Sequence, residues 1–266
     1  MKRLSVFVLL LCCTLAAVAQ YKRVNDIAYT PISADDYSRE RCKLDVYYPA
    51  DLKDVPVVVW FHGGGIISGN KEIPALLENS GMVVIGVSYR LLNFATIDQI
   101  LDDTAAAVAW AFKHAEEYNG STKKIFLSGH SAGGYLISMI GLDKHYLEAY
   151  GVDANDIAGL VPFAGQAITH YNVRKLQNIG PLQPTIDKYA PITFCRADCP
   201  PMVIISGDRE IELYGRYEEQ AYFYRMLLLN GAKDVKLYEM QGYDHGGMPF
   251  PAFPILKNEI KRIVSK

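Results

Sequence analysis

Ser131 lies in "SGHSAGG" (128–134), with a glycine two residues away on each side, directly after the apolar run "KIFL" (124–127). A G-x-S-x-G sequence that leaves a strand and opens a helix forms a nucleophile elbow. The glycines are needed because the turn brings backbones too close for Cβ atoms, and the serine takes a strained conformation that lifts its Oγ clear of the sheet. A glycine-rich turn with an incidental serine fits the same five residues. The difference rests on whether a base and an acid follow, since a serine hydroxyl attacks only when something takes its proton.

Six histidines are available. His62 and His130 sit inside glycine motifs, His114 and His145 fall in helix-length segments ahead of any late acid, and His170 comes early in a Pro- and Tyr-rich stretch. His245 remains, in the glycine-flanked "GYDHGG" (242–247) just past the last apolar run. The acid is expected between Ser131 and His245, because serine, acid and histidine follow in that order in sheets of this kind. "SGDREIE" (206–212) offers Asp208, Glu210 and Glu212. The third residue past the strand-terminal Gly207 is the usual place in hydrolases of this architecture, which selects Glu210. Asp208 is the alternative, otherwise read as a turn-capping side chain.

Donors for a developing oxyanion come from "FHGGG" (61–65), which offers bare backbone N–H groups after an apolar run, and from Ala132, which follows the serine at a helix N-terminus. Each such donor is typically worth about 10²–10³ in kcat. A phosphate-binding loop is excluded: "HGGGIISGNK" (62–71) lacks the G-x-x-x-x-G-K-[ST] spacing and has no Ser or Thr after Lys71.

These residues need a scaffold that brings strand ends together. Short apolar runs at 55–62, 82–89, 123–129, 157–163, 201–207 and 234–240 read as buried strands, and helix-length segments at 97–118, 132–150 and 214–231 separate several of them. The alternation predicts an α/β fold with a mostly parallel central sheet covered by helices on both faces, its chemistry at the carboxyl ends of the strands. Residues 41–49 alternate and read as an antiparallel edge strand. Residues 165–200 break the rhythm and read as a loop–helix insert over the strand ends, a small lid and pocket wall.

The chain has 266 residues, half of them apolar, enough for one substantial core. Its 27 basic residues nearly balance 29 acidic ones, which argues against nucleic acid or an anionic membrane surface as partner and favours a small neutral or mixed substrate. Residues 1–19 combine two early positive charges, an apolar stretch, and small residues at Ala17 and Ala19. They read as a secretory signal cut after Ala19, leaving residues 20–266 as one domain, exported or periplasmic, without stable membrane insertion. Cleavage leaves Cys42, Cys195 and Cys199. "CRADC" (195–199) is able to close a small loop in an oxidising compartment, but the odd count leaves at least one thiol free. No cysteine or histidine set has metal-ligand spacing.

Taken together, "LDVYYP" (44–49), "HGGGIISGNK" (62–71), "VSYRL" (87–91), "DDTAAAVAWAFKHA" (102–115), "GHSAGG" (129–134) and "DHG" (244–246) resemble, in order, the α/β-hydrolases of the esterase/lipase group related to hormone-sensitive lipase. Within that group the chain is most similar to bacterial feruloyl- and acetyl-ester hydrolases. The resemblance implies hydrolysis of short-chain or aryl esters through an acyl-serine intermediate, with a small-molecule or oligosaccharide ester as substrate and no cofactor. It puts the oxyanion donors on Gly64, Gly65 and Ala132. Two positions depart from the pattern: a glutamate stands at the acid position where aspartate is usual, and Ile66 follows the triple glycine where an aromatic is common. A formamidase-like amidase carries similar motifs, and a non-catalytic binding module of the same fold is the non-enzymatic alternative. Oligomeric state is not legible in the sequence.

Overall fold

The structure is a computed structural model describing residues 20–265; the expected signal segment lies outside the described residues. In chain order the elements are β1 (Tyr21–Ala28), α1 (Asp36–Arg41), β2 (Lys43–Pro49), β3 (Val55–Phe61), β4 (Val83–Val87), α2 (Ile97–His114), β5 (Gly120–His130), α3 (Ala132–Leu142), α4 (His145–Glu148), β6 (Gly159–Phe163), α5 (Tyr171–Leu176), β7 (Met202–Gly207), α6 (Arg216–Leu229), β8 (Val235–Met240) and α7 (Pro249–Val264). The strands form one eight-stranded sheet in the order β1-β2-β4-β3-β5-β6-β7-β8. From β4 to β8 neighbours run parallel, while β2 is antiparallel to both β1 and β4.

Strand alternation divides the core between the two faces. In β3, Val57, Val59 and Phe61 join the cluster beneath α2, α3 and α6, whereas Val58 and Trp60 join Phe126, Phe163 and the α7 residues Phe253, Leu256 and Ile260. Because both faces are covered, β3 and β4 read as unbroken apolar runs.

Two elements go beyond the sequence reading. β1 pairs outside β2, so the 41–49 strand lies second from the edge rather than at it. β1 is mostly exposed and polar, which hid it. α7 carries prolines at 249, 251 and 254 and lies outside the helix-length segments read from the sequence, yet its apolar stripe packs on the sheet and outweighs their helix-breaking effect. The segment 132–150 also breaks, into α3 and α4, around Asp143. Among the described residues no helix is long and apolar enough to cross a membrane. Cys195 and Cys199 are both free thiols in partly buried positions, and burial pushes Cys195 up to about 12.

One buried ion pair ties the N-terminal segment to the sheet. The Arg90 side chain is fully buried and donates to Asp103 on α2, to the Ser33 carbonyl, to Asp35 and to the Gln99 carbonyl. Removing the carboxylate strands a buried guanidinium, so Asp103→Ala is expected to cost about 3–5 kcal/mol. Urea unfolding of the purified protein measures this; a loss below about 1 kcal/mol would show that the pair is replaceable by water.

Candidate active site

The site forms where β3, β5, β7 and β8 end. Ser131 follows β5 directly and holds φ 55°, ψ −114°. That conformation is costly for a non-glycine residue, at roughly 1–3 kcal/mol, and the surroundings enforce it. The Ser131 N–H donates to the Phe163 carbonyl at 2.8 Å, and the Tyr135 N–H donates back to the Ser131 carbonyl at 3.0 Å. The flanking glycines are dictated by close approach. A Cβ on Gly129 would lie 2.7 Å from the Phe61 carbonyl oxygen, and one on Gly133 would overlap that same oxygen.

His245 lies in the loop after β8 and reaches across to the serine. Its Nε2 is 2.8 Å from Ser131 Oγ, and its Nδ1 is 2.6 Å from Glu212 Oε1. The carboxylate on the histidine is therefore Glu212, not Glu210 and not Asp208. Glu210 is exposed. Asp208 takes the turn-forming role: its carboxylate accepts the N–H groups of Glu210 and Gly242, at 2.9 Å and 2.7 Å. Its carbonyl accepts the N–H groups of Ile211 and Glu212, starting a helical turn. One turn on, the side chain at 212 swings back over the end of β7, where the Gly207 N–H donates to Oε2 at 3.2 Å and the Leu213 N–H to Oε1 at 2.8 Å. The signal available in the sequence was Asp208 itself, since a turn initiated there places the returning carboxylate four residues later.

Only 1% of the Glu212 side chain is exposed, against 18% for His245. Burial pushes the Glu212 carboxyl up. The hydrogen bond and charge of His245, together with the Leu213 N–H and Arg216, outweigh burial and hold it below its ordinary value. Glu212 is thus an anion at neutral pH, able to fix the imidazole orientation and stabilise its protonated form. His130 braces the same loop: its Nε2 donates to the His245 carbonyl at 2.9 Å. Burial, followed by the neighbouring charge of His245, lowers His130 to about 4, so it is a neutral donor.

The triple glycine follows β3 and faces the elbow. A Cβ on Gly63 would lie 3.5 Å from Ser131 Cβ. Gly64 and Gly65 hold φ 107° and 64°, and the Gly64 carbonyl is capped by the N–H groups of Ile67 and Ser68. Ala132 is the first residue of α3, so its N–H has no intrahelical acceptor and lies next to the nucleophile. Ile66 is fully buried at φ 66°, a rare conformation for a β-branched residue, and its carbonyl accepts the Leu92 N–H at 2.8 Å. It packs in the main core, so the residue standing where an aromatic is common serves here to anchor the glycine loop.

The 165–200 segment is fixed on both sides of the site. Asn172 Nδ2 donates to the Gly65 carbonyl at 2.6 Å. On the other side, α6 holds its start: Arg216 donates to the Ala164 carbonyl, Gln220 to the Gly165 carbonyl, and Glu219 accepts the Ala167 N–H.

Sheet order, strained elbow and the serine–histidine–glutamate contacts define an α/β-hydrolase-fold protein. Its family is the one described as BD-FAE: the family model matches residues 44–213, and the chain belongs to it. Among curated proteins it is 26% identical over 226 residues to a probable isoprenylcysteine alpha-carbonyl methylesterase of Oryza sativa subsp. japonica, covering 75% of this chain and 53% of that one. It is 26% identical over 205 residues to the probable carboxylic ester hydrolase LipM of Mycobacterium tuberculosis, covering 66% and 46%. The chain thus spans about half the length of these curated relatives. Among solved structures, a truncated carbohydrate esterase from gut microbiota superposes with a TM-score of 0.75 at 18% identity, over 94% of this chain and 98% of that one. Propionate-bound esterase 2 of Thermogutta terrifontis superposes with a TM-score of 0.69 at 21% identity, over 93% and 95%.

Proposed function

We propose that this protein is a secreted serine hydrolase of carboxylic esters that acts through an acyl-serine intermediate on short-chain or aryl esters, including acetyl or feruloyl decorations of polysaccharides. The observation that carries the reading is the continuous contact from Glu212 through His245 to Ser131 Oγ, at 2.6 Å and 2.8 Å.

In this reading Ser131 Oγ attacks the ester carbonyl carbon as its proton passes to His245 Nε2. The carbonyl oxygen becomes an oxyanion held by the N–H groups of Ala132, Gly64 and Gly65. The C–O bond to the alcohol breaks, the alcohol leaves with the proton from His245, and the acyl group remains on Ser131. Water, deprotonated by His245, then attacks the acyl-serine and releases the acid. Support for esters comes from the BD-FAE family match and from the ester hydrolases among the relatives. Carbohydrate esters are suggested by the similarity to an esterase of that kind. Export is inferred from residues 1–19 alone.

Turnover of a nitrophenyl ester series, acetylated xylan and methyl ferulate tests the substrate range. The expected result is fastest hydrolysis of acetyl to butyryl esters, with release of acetate or ferulate from the natural-type substrates. Faster cleavage of a matched anilide would replace the reading with an amidase. N-terminal sequencing of exported protein is expected to begin at Gln20.

A further inference from the structure

The oxyanion donors of the proposed reaction lie on the most pliable stretch of the site, three consecutive glycines with little backbone preference of their own. The N–H groups of Gly64 and Gly65 donate to nothing among the described residues. The carbonyls around them are all held. That of His62 accepts the Tyr89 hydroxyl at 2.8 Å, and that of Gly63 accepts His62 Nδ1 at 2.7 Å. The Gly64 carbonyl accepts the N–H groups of Ile67 and Ser68, and that of Ile66 accepts the Leu92 N–H. C=O and N–H point opposite ways across a trans peptide, so carbonyls tied to the protein leave the N–H groups aimed away from it. The Gly65 carbonyl differs in where its partner comes from. Among the described residues it accepts only Asn172 Nδ2, at 2.6 Å, from the 165–200 segment, 107 positions along the chain.

That bond falls at the most strained point of the loop. The contact from the Ile67 N–H to the Gly64 carbonyl closes a four-residue turn with Gly65 and Ile66 at its centre, and both have positive φ, 64° and 66°. Two positive φ values mark a type I′ turn, whereas a type II′ turn needs positive φ only at the first central residue. A glycine followed by isoleucine suits type II′, because a β-branched residue is a rare occupant of positive φ. The two types differ by rotation of the central peptide, the one between Gly65 and Ile66, and Asn172 grips that peptide. Asn172 is itself buried, its N–H donating to His170 Nδ1 at 3.2 Å, and the buried His170 ring packs against Tyr135. The Tyr171 hydroxyl lies 2.6 Å from where a Gly65 Cβ would stand, so glycine is required at 65.

We propose that Asn172 is a positioning residue for the oxyanion hole. It locks the 64–67 turn in the strained form that presents the Gly64 and Gly65 N–H groups; without it the central peptide rotates and Ile66 relaxes to negative φ. This deepens the ester-hydrolase reading and rests on it.

The test compares the wild type with Asn172→Ala and with Asn172→Asp, which keeps the shape and loses the donor. Active sites are counted by fluorophosphonate labelling, so that kcat is expressed per labelled serine. With nitrophenyl butyrate both variants are expected to lose about tenfold or more in kcat with KM within about twofold, part of the roughly 10²–10³ that a whole oxyanion donor carries. The rate of labelling is expected to fall in parallel, because the phosphoryl oxygen of the reagent enters the same hole. A role confined to stability would lower Tm and the number of labelled sites and leave kcat per site unchanged, and that result would overturn the proposal. A raised KM at unchanged kcat, the mark of a substrate contact, would overturn it too. If Asn172→Ala does not fold, Asn172→Asp decides. If the wild type is labelled at Ser131 but hydrolyses no ester, slower labelling of the variants keeps the positioning role and sinks the ester reading, whereas equal labelling rates sink both.

Discussion

Ser131→Ala is expected to lower kcat for any ester substrate by about 10⁶, the scale seen when the nucleophile of a serine hydrolase is removed. The fold should be unaffected, because the elbow is held by backbone contacts at Phe163 and Tyr135 that an alanine preserves. Treatment with a fluorophosphonate followed by peptide mass spectrometry gives a second readout. One adduct is expected on the peptide bearing Ser131 and none on the variant; a label elsewhere would mean that the 2.8 Å contact with His245 does not activate this hydroxyl.

The second large effect is expected at Glu212. Glu212→Gln keeps the shape and removes the charge that orients and stabilises the imidazolium, so kcat should fall by about 10⁴ with little change in KM. Its neighbours give a sharp contrast. Glu210→Gln should leave the rate unchanged, since that side chain faces solvent. Asp208→Asn should weaken the turn, read as a lower Tm, with a smaller loss of rate. A near-dead Glu210→Gln beside an active Glu212→Gln would overturn the assignment.

The contrast marks where the sequence stopped being informative. Ser131 was legible because strand, glycines and helix fall within one short stretch, and His245 because elimination left it alone past the last strand. The sheet's parallel body was legible for the same kind of reason, since strands covered on both faces are apolar throughout. The acid depended on the path of the loop between β7 and α6, residues 208–215, and counting from Gly207 assumes an extended path. The loop instead coils at Asp208, which shifts the inward-facing position from 210 to 212. Ile66 stands where an aromatic is common, and what it does instead follows from backbone conformation rather than residue type: positive φ turns its side chain into the core. β1 and α7 were hidden because pairing and packing override a polar strand and a proline-rich helix.

Ser131 and His245 are suspended from parts of the sheet with unequal protection. β5 lies between β3 and β6, whereas β8 is a terminal strand whose residues are largely half-buried. Local opening of β8 and its following loop breaks the β7 ladder, the Arg209–Glu239 and Glu259 contacts, and the bonds to Asp208, Glu212 and His130, while leaving the elbow and the glycine loop intact. The molecule can therefore become inactive without becoming unfolded, and its working lifetime under heat or denaturant is governed by that edge rather than by the interior that holds the nucleophile.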